Sequence, residues 1–532
     1  MNSAEFVPDA LKTRINLAIY QARVSLVIKR IRSKDPSLWT TDESVARMIQ
    51  NSLGWLNVAE EMTGVVGELR EFAEEARHKF KHVMVCGMGG SSLCPEVLAQ
   101  TFGQQPEFPE LLVLDSTDPD VLAEFASRIE VEKCLFVIAS KSGTTTEPNV
   151  FYKFWYERAK SDENFVVITD PGSPLVEQDF AKVFLNQADI GGRYSALSYF
   201  GMLPGVLMGL DIGTLLDRAQ NHADTDAAMR LGVSIGEYAN VGRDKLTFVI
   251  DPRLATLGLW IEQLIAESTG KEGKGIVPVV GEPLSDPSVY GDDRVFVSIS
   301  LKGVTKDINE KLDELAAAGH PIIRHELSDL YDLGAEFFMW EFATACAGWR
   351  LGINPFDQPN VQEAKDATKE LLAEFTKNGR LPDSAPEMSL TDAVQAQLAA
   401  IKPGDYIAFL NYIEQTPEID NQFQQIRTYL RDKTHCATTV GYGPRFLHST
   451  GQLHKGGPNS GVFFQVGAKD KNDFPIPGET YTFSVLKEAQ ALGDFRALKA
   501  HDRRVVRIDL GDDPLSGLAR LAEACQSSSQ SS

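Results

Sequence analysis

Six cysteines in 532 residues (Cys86, Cys94, Cys134, Cys346, Cys436 and Cys525) show no paired CxxC spacing. Several stand in apolar runs, so the sequence predicts reduced, buried thiols and a cytoplasmic setting rather than a disulfide scaffold. Nine scattered histidines form no ligand cluster, which argues against structural zinc. No apolar stretch nears the roughly 18 residues of a membrane span, and the opening MNSAEFVPDALKTR lacks an apolar signal core, so no membrane association is expected. Positive charge is short as well. Against 74 Asp and Glu stand 52 Lys and Arg, a net charge of −22 that disfavours nucleic acid as a partner. An anionic small substrate would then need a locally positive pocket, which makes individual Lys and Arg residues informative. There is no GxxxxGK[ST] loop, and GxGxxG fails at Ser92, where glycine is required. A nicotinamide-dependent oxidoreductase is thereby disfavoured.

What is there is an α/β pattern. Residues 1–80 keep apolar residues at helix spacing, as in VGELREFAEEARHKF, with no strand signal. From 82 onward, short apolar runs end in Gly/Ser/Thr loops: HVMVCGMGG, ELLVLDST, KCLFVIASKSG and NFVVITDPGSP, with helical stretches between. This alternation predicts a parallel sheet covered on both faces, with ligands outside the carboxyl ends of its strands. A second run starts at LTFVID and continues through GIVPVV, RVFVSIS and HPIIRHEL. After a polar stretch at 376–389, YIAFLNY, CATTVGYG, GVFFQVG, YTFSVL and VVRIDLG read as further strands whose sheet is left open. The predicted fold is α/β: an N-terminal helical region (1–80), two doubly wound parallel-sheet subdomains (81–243 and 244–375), and a C-terminal α/β region (376–532) with a disordered CQSSSQSS tail.

Two loops could hold an anion. In CGMGGSSL (86–93), glycines after a strand let the N–H groups of Gly89, Gly90 and Ser91 approach a charge at a helix start, although a tight turn without a ligand would read the same. SKSGTTTEPN (140–149) offers the hydroxyls of Ser140, Ser142, Thr144 and Thr145 and the charge of Lys141. Such a set suits many modest hydrogen bonds to a phosphate; a solvated loop is the alternative. Glu147 there suits helix capping. In LWIEQLIAESTGKEGKGI (259–276), Trp260, Leu264 and Glu267 share one helix face. A carboxylate continuing an apolar stripe is desolvated, which suits a general base; pairing with Lys271 in water is the alternative. Arg193 and Lys365, read without further help, could equally be an ion-pair partner and an exposed helix lysine.

The two loops together resemble the sugar-isomerase fold. ADIGGRYSALSYFG (188–201) closely resembles a signature of the glucose-6-phosphate isomerase family, and QLIAESTGK and the NPFDQP run of LGINPFDQPNVQEAKD (351–366) follow that family's pattern in the same order. The resemblance covers roughly residues 80–370. It implies two sugar-isomerase subdomains, a homodimer, a sugar phosphate substrate, and an aldose–ketose isomerase with no cofactor and no metal. By that resemblance Glu267 moves a proton between C1 and C2, Arg193 stabilises the enediolate, Gln263 helps hold the sugar, and Lys365 contacts the ring oxygen or anomeric hydroxyl. The family's ring-opening histidine follows soon after the glutamate, but VVGEPLSDPSVYGDDRVF contains none. HSTGQ in GPRFLHSTGQLHKGGPN (443–459) resembles a run of bacterial members, so His448 is expected in that role. His454 is its alternative, and His320 is expected to be a loop residue. Ala196 and Tyr199 depart from the family's usual residues, and residues 370–532 differ enough to imply a divergent subgroup. Two other functions stay open: an isomerase of another sugar phosphate, including a dual glucose/mannose enzyme, and a non-catalytic sugar-phosphate-binding regulator.

Overall fold

The apolar run CLFVIA forms a strand in which all six residues are buried, as the interior of a parallel sheet requires. The structure, a computed structural model, describes residues 2–303, 306–382 and 388–527. Part of the polar stretch at 376–389 and most of the expected tail lie outside the described residues; Cys525 and Gln526, read as tail, end a helix Pro514–Gln526.

Three sheets organise the chain. The strands are β1 (Asn2–Phe6), β2 (His82–Gly87), β3 (Glu110–Leu114), β4 (Cys134–Ala139), β5 (Phe165–Thr169), β6 (Lys182–Leu185), β7 (Lys245–Ile250), β8 (Val277–Val279), β9 (Arg294–Leu301), β10 (Ile322–Leu327), β11 (Tyr406–Tyr412), β12 (Ala437–Tyr442), β13 (Gly461–Gly467) and β14 (Arg504–Asp509). The first sheet runs β3-β2-β4-β5-β6 and is wholly parallel. The second runs β1-β10-β9-β7-β8 and is parallel except for β1. The third runs β12-β11-β13-β14, again parallel, and joins neither of the others.

Two local readings differ from the sequence expectation. Residues 2–6, expected within a helical region, add an antiparallel edge strand to β10, with Ala4 opposite Arg324. A five-residue segment carries too little periodicity to show this, and its pairing comes from a strand more than 300 residues away. YTFSVL is the start of a helix, Phe483–Ala500, because the Thr482 hydroxyl accepts from the Val485 N–H and caps it.

One apolar cluster runs between the first two sheets and includes the helices Thr225–Asn240 and Leu333–Leu351. The other face of the first sheet is covered by the helices Pro119–Arg128 and Thr146–Ala159, and late-sequence helices join that cluster through Leu371 and Leu372 of Val361–Asn378 and Phe483, Leu486 and Leu492 of Phe483–Ala500, with Phe483 against Phe151 and Phe154. That packing carries the C-terminal third back over the strand ends of the first sheet. Among the described residues, no helix is long and apolar enough to cross a membrane.

Candidate active site

The glycine loop is shaped first by protein contacts. A Cβ on Gly90 would lie 1.9 Å from the Gly192 carbonyl oxygen, so the loop after β2 sits directly on the Gly191–Gly192–Arg193 turn. Gly89 has φ +56°, and a Cβ there would meet the Gln263 amide at 2.7 Å and the His448 carbonyl at 2.9 Å. The loop is thus the junction where the arginine turn, the glutamate helix and the distant histidine segment converge.

Behind it lies a buried ion pair. Glu267 stands near the end of the helix Leu257–Thr269, in which all but Leu259 are buried; Trp260, packed edge-on against Phe337 at 4.8 Å, and Leu264 anchor it. Burying each such side chain contributes about 1.5–3 kcal/mol, so the helix is held firmly in its angle. Arg193 Nη1 meets Glu267 Oε1 at 3.0 Å, with the arginine side chain 3% exposed. The remaining guanidinium hydrogens go to Ser268 Oγ (2.7 Å), Gln358 Oε1 (3.0 Å) and the carbonyls of Pro355 and Asp357 (2.8 and 3.0 Å). The NPFDQP run is therefore the cradle of Arg193. Glu267 is enclosed as expected, but its surroundings are ionic rather than an apolar stripe, because the arginine turn closes over that face. Lys271 does not take it; Lys271 Nζ pairs with Asp357 Oδ1 at 2.7 Å, and burial, aided by the Arg193 charge, pushes its pKa down to about 8.

In front, His448 Nε2 lies 3.2 Å from Glu147 Oε1, and Gln490 Nε2 donates to the same oxygen at 2.7 Å. Burial acts to raise the Glu147 carboxyl, but His448, with a smaller contribution from Lys365, holds it below its ordinary value. Ser142, Thr144, Thr145, Lys365 and His448 line one cleft at the start of the helix Thr146–Ala159, where the free N–H groups and helix dipole favour an anion. Gln263 joins the two parts: its amide donates to Glu267 Oε2 (3.2 Å) and to the His448 carbonyl (2.7 Å).

Other expected residues fall elsewhere. Lys141 pairs with Asp170 at 2.8 Å and donates to the Ala188 carbonyl, so its charge faces away from the cleft. Ser140 is 2% exposed, with an enclosed hydroxyl beneath the loop rather than in it. His454 lies among the rings of Phe463, Tyr406 and Phe446, and burial drives its pKa well below the ordinary value, which suits packing rather than proton transfer. His320 sits buried against Phe296 and Tyr290.

Five polar residues near His448 carried no expected role beyond a cap at Glu147. Glu147 holds the histidine instead of capping. Thr117 Oγ1 donates to Gln490 Oε1 at 2.7 Å and orients that amide toward Glu147. Arg445 forks onto both oxygens of Asp115, at 2.7 Å each, fixing the short helix Arg445–His448 to the end of β3. The place of Asp115 just after a parallel strand was a usable signal; nothing local marks Gln490 or Arg445.

The model of a family described as "Phosphoglucose isomerase" matches residues 14–275. A probable glucose-6-phosphate isomerase of Methanococcus maripaludis is 27% identical over 376 residues, covering 61% of this chain and 85% of that one. A glucose-6-phosphate isomerase of Leptospira interrogans is 26% identical over 397 residues, covering 62% and 87%. Among solved structures, a hypothetical protein from Thermus thermophilus superposes with a TM-score of 0.57 at 22% identity, covering 70% of this chain and all of that one. A glucose-6-phosphate isomerase from Chlamydia trachomatis superposes at 0.50, with 22% identity and coverage of 65% and 78%. These superpositions establish the shared fold. Over residues 14–275 the chain is thus similar to the phosphoglucose isomerase family, and it is 26–27% identical to glucose-6-phosphate isomerases of two other organisms.

Proposed function

We propose that this protein interconverts glucose 6-phosphate and fructose 6-phosphate, in glycolysis and gluconeogenesis. The observation that carries the reading is the buried Arg193–Glu267 pair at 3.0 Å, joined by the Gln263 amide to the segment that bears His448. A binding protein has no use for an enclosed base with a cation against it. The phosphate rests on Ser142, Thr144, Thr145 and the helix start behind them, holding the unreactive end so that the reacting carbons are oriented. His448, steadied by Glu147, gives a proton to the ring oxygen while the anomeric hydroxyl loses one, and Lys365 steadies the oxygens at this step. Glu267 takes the proton from C2 of the open aldose and returns it to C1 of the enediolate, as a proton passes from the C2 hydroxyl to the oxygen at C1. Arg193 stabilises the enediolate charge in between. The aldehyde becomes an alcohol and the C2 alcohol a ketone, with no net redox change.

The six cysteines are all buried free thiols, which supports a reducing, cytoplasmic setting. A homodimer is supported by the exposed stripe of Leu17, Tyr20 and Val24 on the first helix. The test is conversion of fructose 6-phosphate to glucose 6-phosphate by the purified protein with EDTA present and nothing added. Robust turnover is expected; sugar phosphate bound without turnover would move the assignment to the regulator, and turnover of a different aldose–ketose pair alone would move it to another isomerase.

A further inference from the structure

The helix Leu257–Thr269 carries a second acid that the proposed reaction does not use. Glu262 is 8% exposed and has no hydrogen-bond or ion-pair partner among the described residues. It lines a cavity of about 320 Å³ between this helix, the helix Pro417–Thr434 and β12, within the size range of small-molecule pockets. The cavity shares no lining residue with the His448 cleft, although the segment 445–449 runs between them.

Two residues of the cavity wall each enclose a polar atom that has no partner. Thr256 Oγ1 begins the helix but does not cap it, and Gln424 Oε1 is enclosed while its amide nitrogen donates to the Gly281 carbonyl at 2.9 Å. Unpaired buried polar atoms cost about 1–3 kcal/mol each, so these two, on facing helices beside the unpaired Glu262, need an account.

The charges narrow the ligand. Arg427 and Arg445 balance Glu262 and Asp420 around the cavity. Three of the four are already engaged: Arg427 donates to Thr438 and the Val280 carbonyl, Arg445 to Asp115, and Asp420 accepts from Tyr442 (2.5 Å) and Gln415 (2.9 Å). A cation would meet two guanidinium groups, and an anion two carboxyl groups. Leu259, Phe423 and Phe446 supply apolar walls. A ligand that fits hydrogen-bonds to Glu262, lays C–H faces on the rings, and reaches Gln424 and Thr256 once their side chains turn toward it.

We propose that this cavity is a binding site for an uncharged polyhydroxy compound, a free sugar or sugar alcohol, distinct from the His448 cleft. Burial raises the Glu262 pKa to about 8, with Arg427 and Arg445 offsetting part of the shift, so near neutrality the group both accepts from and donates to hydroxyls.

Calorimetric titration of the full chain with D-glucose and with sorbitol in the millimolar range is the test. Saturable binding of at least one is expected, and the preferred one tells a ring from an open chain. Glu262→Gln should weaken it about tenfold, and Gln424→Trp, which fills the cavity, should abolish it. Thr144→Ala, in the other cleft, should leave it unchanged. No saturable binding of either compound, or loss with Thr144→Ala instead of Gln424→Trp, overturns the site. Binding of inorganic phosphate or methylammonium in place of both polyols overturns its chemistry. Should a variant fold poorly, a crystal of the unaltered protein soaked in the preferred polyol decides: density against Glu262 upholds the proposal, and density confined to the His448 cleft defeats it.

Discussion

The back and the front of the candidate site are built in different ways. At the back, Arg193 and Glu267 come from two motifs whose elements pack directly together, and every polar group of the arginine is engaged in a nearly sealed space. At the front, His448 reaches the first sheet from a third sheet, held by one side-chain contact to Glu147, the Gln263 bond to its carbonyl, and the Arg445–Asp115 fork. A charge that must remain in place is enclosed by close packing. The group proposed to pass a proton to the ring oxygen is delivered to the rim by side-chain clamps. The back should therefore answer to changes in chemistry, and the front also to changes in how the C-terminal third docks.

Variants separate these behaviours. Glu267→Gln keeps the shape but removes the base; exchange of the C2 proton should fall by about 10³-fold, with phosphate-ligand affinity nearly unaltered. Retained exchange would remove Glu267 from the role and dissolve the contrast. His448→Ala should lower turnover of the cyclic sugar by roughly 10²-fold, and of an open-chain analogue far less. Equal losses on the two substrates would argue against ring opening. Asp115→Asn leaves every proposed reacting group intact but weakens the Arg445 fork. It should cost several-fold in kcat on the cyclic substrate while sparing C2 exchange in the open-chain analogue; loss of both together would mean that the front is not separable from the back.

The smallest expected effect tests burial alone. The folded-state pKa of Glu262, about 8, lies above its ordinary 4.5, so between those values the folded state holds a proton that the unfolded state has released. Stability contributed by that proton is present below about pH 4.5 and declines as pH rises toward 8. Glu262→Gln should thus match the parent in thermal melts near pH 4.5 and exceed it near pH 8. A gap that does not change with pH would show that Glu262 gains a partner in solution.

What could be read locally was what short-range physics writes locally. Alternating apolar strands and helices gave the parallel α/β class, because each strand buried on both faces must be apolar throughout. The strand-end loops, the Gly-Gly-Arg turn and the Gln–Glu spacing on one helix were likewise visible, since each lies within a few residues of chain. The edge strand at residues 2–6, the capped helix at Phe483 and the separate third sheet were not, because pairing partners and caps override weak local preference.

For the proposed site, sequence alone supplied the candidates: Glu267, Arg193, the hydroxyls of Ser142, Thr144 and Thr145, and a histidine at position 448. Only the tertiary structure decided that Lys141 spends its charge on Asp170, that Glu147 faces His448, and that Asp115 and Arg445 clamp that segment. The reason is distance along the chain. Glu147 and His448 are separated by 301 residues, and Asp115 and Arg445 by 330. Hydrogen bonds formed across such gaps depend on how whole sheets dock, which no local spacing encodes.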